Sequence, residues 1–159
     1  MNFVQDLFNN TVFLTAAAAW AIAQIIKTLI DLGINGKLNI ERLVGSGGMP
    51  SCHSATVCSL ATISMLVHGA GSFEFAVTAM LAIIVMYDAR GVRRETGTQA
   101  VIINEIMEYL TNPLDDRYKD AKFSHEKLKE LIGHTPLQVF CGAILGIIVA
   151  CIAYYVFVV

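Results

Sequence analysis

Two histidines, a serine and a cluster of arginines are the residues of this chain whose types and spacing can do chemistry. Ser51 and His53 lie in the stretch Gly47-Gly48-Met49-Pro50-Ser51-Cys52-His53-Ser54. The glycine pair gives a closely approachable backbone, and proline ends whatever precedes it. Ser51 then stands where a helix N-cap would stand, ahead of a long apolar run. A helix N-terminus offers free N–H groups and a partial positive charge, which together favour an anion such as phosphate. His134 directly precedes Thr135-Pro136, a cap followed by proline at the first helical position, so a second helix start also carries an imidazole. Asp88, Arg90, Arg93 and Arg94 follow another apolar run. Phosphoryl transfer needs positive donors around the equatorial oxygens, a nucleophile, and an acid for the leaving group. Histidine can serve as either of the last two, because its pKa lies near neutrality. Residue types alone thus suggest a phosphate-handling site. They leave open which histidine would take which role, and whether both are plain interface residues.

The elements that must position these residues are membrane helices. The chain has 159 residues, enough for a single domain, of which 55% are hydrophobic and only 15% charged; mean hydropathy is +0.61. Soluble domains carry about 25% charged residues. No Asp, Glu, Lys or Arg occurs in 7–26, 43–73, 75–87 or 131–159. A helix needs roughly 20 apolar residues to span a bilayer. The first and last runs meet that alone. The middle two are shorter, and His68-Gly69-Ala70-Gly71-Ser72 between them makes a tight helical hairpin. The expected fold class is all-α: an integral-membrane bundle with helices over 11–32, 51–67, 73–87 and 136–159. The segment 88–134 holds most of the charge and reads as a cytoplasmic-side helical insertion. Within it, 98–110 is amphipathic, with Ile102, Ile103, Ile106 and Leu110 on one face, and Ser124 is a candidate cap for a further short helix. This segment is expected at the membrane surface or folded back over the bundle. The N-terminus lacks the basic region of a signal peptide, so the first apolar run is expected to be retained.

Charge distribution sets an expected orientation. With four spans, the loops 33–50 and 88–134 share one side. They hold ten of the eleven Lys and Arg residues, and the opposite side has none. The positive-inside rule then places both loops in the cytoplasm and both termini on the other side. Gln24, Lys27 and Asp31 share one face of the first helix. Lys27 reads either as a lysine snorkelling to the interface or as a cation turned into the bundle toward Ser51. The four cysteines lie in apolar runs without metal-ligand spacing and read as small buried side chains. His53, His125 and His134 show no ligand spacing either. His68 reads as interfacial, His125 as solvated, and Tyr154-Tyr155 as an interface anchor. Gly142 and Gly146 form a Gly-x-x-x-Gly face, expected to contact another helix and, if that helix is a second copy's, to support a homo-oligomer.

The wording of the motifs is more specific than their residue types. Pro50-Ser51-Cys52-His53 resembles the Pro-Ser-Gly-His motif of the type-2 phosphatidic acid phosphatases, relatives of the vanadium haloperoxidases. His134-Thr135-Pro136, with Gly142 and Gly146 downstream, resembles their third motif. Together with Met86-Tyr87-Asp88-Ala89-Arg90-Gly91-Val92-Arg93-Arg94, these strings look like a divergent branch of that superfamily, from about residue 24 to 146. The resemblance implies a helical-bundle phosphatase that needs no metal or other cofactor. His134 would attack phosphorus, His53 would protonate the leaving oxygen, and Ser51 would donate to the phosphate. The chain departs from the pattern in three places. Gln138 stands where the third motif has the aspartate that orients its histidine; Leu128 stands where it has an arginine; and the first motif is absent. Arg93 or Arg94 would take the arginine's role, Asp88 would supply a carboxylate, and Lys27 and Arg42 are the remaining cations for the phosphate.

The expected activity is therefore hydrolysis of a lipid-linked phosphate monoester or diphosphate through a phosphohistidine. The alternative is a non-catalytic module that binds or moves a phospholipid or other anion on the same fold. The expected partners are membrane lipids and a phosphorylated lipid substrate, with no nucleic acid.

Overall fold

The computed structural model describes residues 2–36, 47–110, 128 and 134–159. Six helices occur among them: α1 Phe3–Phe8, α2 Thr11–Asn35, α3 Cys52–His68, α4 Phe73–Arg90, α5 Val92–Leu110 and α6 Pro136–Phe157. Local chemistry sets most of the ends. Asn10, Ser51, Ser72 and Thr135 each accept a backbone N–H three residues on, at the starts of α2, α3, α4 and α6. Three expectations about extent are corrected. α2 runs past 32 to Asn35 because Gly33 stays helical; Gly36, at φ +65°, takes the left-handed conformation that closes the helix. The third apolar helix continues to Arg90 and, after Gly91, gives way at once to α5, so the surface helix begins at Val92 rather than at 98. α1 was not anticipated, since six residues carry too little periodicity to read. The expected Ser124-capped helix and the loop over 37–46 lie outside the described residues.

α3 is the centre of the bundle, packed on α6, α4 and α2. Helix directions follow from the contacts. Lys27 Nζ meets Cys52 Sγ at one end of the α2–α3 pair, and Ser59 Oγ donates to the Thr15 carbonyl toward the other, so the two run antiparallel. Cys58 Sγ lies 3.6 Å from Met86 Sδ, which pairs α3 with the later part of α4. α6 runs parallel to α3, with Gly142 against Ser51 and Gly146 against Ala55 and Ser59. A Cβ at either glycine would collide with the carbonyl oxygen of Ser51 or Ala55. The Gly-x-x-x-Gly face is therefore filled by the chain's own α3. Small residues let the two backbones touch within one chain.

The bundle is inside-out relative to a water-soluble one. Its interior holds Ala16, Ala19, Ala23, Ala55 and Ala150, together with Thr15, Gln24, Thr28, Ser54, Ser59, Ser64 and Lys27. Apart from Ile63 and Val57 on α3, which are buried, large apolar side chains point outward: Trp20, Ile25 and Leu29 on α2, Met80, Ile83 and Ile84 on α4, Phe140, Ile147 and Ile152 on α6. Water would not tolerate that surface, whereas lipid tails solvate it. Three helical runs, Thr11–Asn35, Phe73–Glu108 and Pro136–Phe157, are long and apolar enough to cross a membrane. α3 is apolar but has only 17 residues, about 26 Å of helix against a hydrocarbon core of about 30 Å. Its first turn, from Ser51 and Cys52, is enclosed by its neighbours, while Val67 and His68 at the other end are exposed. The protein is an all-α integral-membrane helical bundle.

Candidate functional site at the start of α3 and α6

Three backbone and side-chain ties gather one end of the bundle. The Ser51 N–H donates to the Gln138 carbonyl at 3.0 Å, joining the cap of α3 to the first turn of α6. The His134 N–H donates to the Ala89 carbonyl at 3.1 Å, joining the end of α4 to the entry of α6. Lys27 reaches from α2 to Cys52 at the start of α3. As a result the rings of His53 and His134, far apart in sequence, lie edge to face with centroids 5.9 Å apart. Both imidazoles therefore stand at one small site, where their nitrogens can serve the same tetrahedral oxyanion.

His134 is only 2% exposed, and its tautomer follows from its surroundings. Its Nδ1 lies 3.3 Å from Gln138 Oε1. The same Oε1 accepts the Thr135 N–H at 3.0 Å, and the Gln138 N–H donates back to Thr135 Oγ1, closing a capping box. The Thr135 N–H donating to it identifies that amide atom as the oxygen, which can only accept. Nδ1 therefore carries the proton, and in the neutral ring Nε2 carries the lone pair. Gln138 thus fills the orienting place that the motif's aspartate would take. An amide fixes the tautomer but brings no charge to stabilise an imidazolium.

Ser51 is fully buried. Its Oγ accepts from the Ser54 N–H at 3.3 Å and from Ser54 Oγ at 3.1 Å. With both lone pairs engaged, the hydroxyl proton is what remains to offer, so Ser51 is set as a donor. Lys27 is 2% exposed; it does not snorkel but turns into the bundle. Gly48 lies against its stem: a Cβ there would come within 3.2 Å of Lys27 Cγ, and the φ of +100° is one that side chains rarely adopt.

Of the eight residues singled out from the sequence, the structure brings Ser51, His53, His134 and Lys27 to this end of the bundle. Asp88 is half-buried and adjoins Ala89, whose carbonyl holds the His134 amide. Arg93 and Arg94 lie on α5, one turn past Gly91, and their side chains are outside the described residues, as is the whole of Arg42. Ser54 and Cys52 were missed as members of the site, while Gln138 was read from the motif as standing at the orienting position. Ser51-x-x-Ser54 has N-cap spacing, so one of the two carried a readable signal. Cys52 and Cys58 are buried as expected of cysteines, while Cys141 and Cys151 are half-buried.

A family model described as "Divergent PAP2 family" matches residues 8–149. An uncharacterized membrane protein of Bacillus subtilis (strain 168), YuiD, is 42% identical over 156 residues, covering 96% of this chain and 99% of that protein. No solved structure matches the chain.

Proposed function

The chain belongs to the divergent PAP2 family, and from that premise we propose that it hydrolyses a lipid-linked phosphate monoester or diphosphate through a phosphohistidine on His134. The observation that carries the reading is the 5.9 Å pairing of His53 with His134 at the mouth of two helix N-termini. His134 Nε2 forms the bond to phosphorus as the bond to the lipid oxygen breaks. His53 protonates that oxygen, and water then cleaves the phosphohistidine. Ser51 and Lys27 hold the equatorial oxygens, joined by Arg93, Arg94 and Arg42 from the neighbouring segments. The site faces the cytoplasm, where a headgroup enters from the leaflet. Ten of eleven cations in the two loops at this end support that sidedness. So do the directions of α2 and α6, which begin and end at the opposite end.

The test is phosphate release from phosphatidate and from a polyprenyl diphosphate by purified protein, with acid-labile phosphate trapped on His134 during turnover. Absence of both would sink the catalytic reading. Gln138 in place of a carboxylate favours the second reading, a binding module on the same fold; it predicts saturable lipid-phosphate binding with an empty trap.

Lys27→Met provides a separate check. Removing one donor to a transferring phosphoryl group costs about 10²–10³-fold in rate. Exchanging a buried cation for an apolar chain of similar length leaves stability unchanged or improved. Phosphate release should fall by that factor while the melting temperature in detergent holds or rises. Undiminished release would remove Lys27 from the site.

A further inference from the structure

Cys52 stands where the resembling motif has glycine, and it is not an isolated thiol. Its Sγ lies 3.7 Å from Lys27 Nζ and 3.8 Å from His53 Nδ1, at the first position of α3. Both distances are within reach of a sulfur hydrogen bond. Only 3% of Cys52 is exposed, so it meets its neighbours rather than solvent. The ammonium of Lys27 can only donate, which assigns the sulfur as its acceptor. The sulfur's own S–H has His53 Nδ1 within reach as an acceptor.

The geometry points to Cys52 as a positioning residue that holds His53 in the tautomer protonated at Nε2, opposite to the Nδ1–H tautomer that Gln138 imposes on His134. A thiol donating to Nδ1 of His53 leaves that ring's proton on Nε2. One imidazole of the pair then carries a lone pair and the other a proton, as a nucleophile and a leaving-group acid require. This rests on the phosphatase reading only for its consequence; the tautomers stand by themselves.

The proton balance closes. As the bond from His134 Nε2 to phosphorus forms, the bond from phosphorus to the lipid oxygen breaks. The His53 Nε2 proton passes to that oxygen, and the Cys52 proton passes to Nδ1. His53 stays neutral, and the thiolate left on Cys52 is paired with the Lys27 ammonium. When water cleaves the phosphohistidine, its proton returns to His53 Nε2 and the Nδ1 proton returns to sulfur. Without a donor at Nδ1, His53 can give up its proton only by becoming an imidazolate or by starting as an imidazolium.

Two measurements test this on the whole protein in detergent or nanodiscs. The first is independent of activity: nitrogen-15 spectra of labelled histidine, assigned by single substitution among the four histidines. His53 is expected as the Nε2–H tautomer and His134 as the Nδ1–H tautomer. Cys52→Ala should mix the tautomers of His53, while Cys52→Ser, which keeps a hydroxyl donor, should preserve them. A His53 protonated at Nδ1, or one indifferent to Cys52→Ala, overturns the assignment whether or not the protein is a phosphatase. The second is leaving-group selectivity. Cys52→Ala should slow release from an alkyl lipid phosphate by roughly 10–100-fold. A nitrophenyl phosphate, whose leaving group departs without a proton, should be affected by less than about twofold. Equal slowing of both substrates marks a merely structural cysteine and overturns the proposal. A wild-type protein that releases phosphate from neither substrate refutes the phosphatase reading and leaves the spectra to decide the tautomers.

Discussion

His134→Ala is expected to lower phosphate release by three orders of magnitude or more, and His53→Ala by about 10²–10⁴-fold. The first change removes the atom that bonds to phosphorus; the second removes only help for the departing oxygen. Because the two rings meet edge to face at one site, with centroids 5.9 Å apart, both are expected to act in one transition state. Their losses should therefore not add: the double variant is expected to be about as slow as His134→Ala alone. Rates measured with phosphatidate, alongside the phosphohistidine trap, decide this. Fully multiplicative losses would mean that the two imidazoles serve different steps. The backbone tie from His134 N–H to the Ala89 carbonyl survives either substitution, so helix packing at this end should persist, and unaltered melting curves would show it.

Replacing either helix-contact glycine is expected to have the largest effect on stability. At Gly146 a new Cβ meets the Ala55 carbonyl and lies 2.9 Å from the Ser59 amide nitrogen. Both are backbone atoms, which cannot turn aside as a side chain would. Overpacking of a tight contact costs up to roughly 3 kcal/mol, or about 6–12 °C in melting temperature for a chain of this size. Gly146→Val should reach or exceed that. Gly142→Ala strikes the carbonyl of Ser51, the residue that carries the cap hydroxyl, two residues before His53. Its activity loss should therefore exceed what its melting temperature explains. Gly71→Ala is the control: nothing lies within 4 Å of a Cβ there, and neither quantity should move. Normal stability in Gly146→Val would mean that α3 and α6 are not in backbone contact.

The sequence by itself determined the class of molecule, nearly every helix, and the residues at the mouth of the site. Those features are local. Charge-free runs set the membrane helices, caps such as Ser51 and Thr135 set their starts, and the wording around His53 and His134 was specific enough to suggest the family. The ends it missed were those where a glycine stayed helical at 33, where two helices met at Gly91, and where six residues at the N-terminus formed a turn and a half. Only the tertiary structure decided which face of each helix turned inward. Hydropathy could not show that Lys27 points at Cys52, because a lysine near a helix end can equally reach the interface. Nor could it show that Gly142 and Gly146 seat on Ser51 and Ala55, because a small-residue face is silent about its partner. The spacing of His53 and His134 depends on α3 and α6 running parallel in one register, held by the Ser51 amide on the Gln138 carbonyl. That hydrogen bond joins residues far apart in the chain, and no local pattern encodes it.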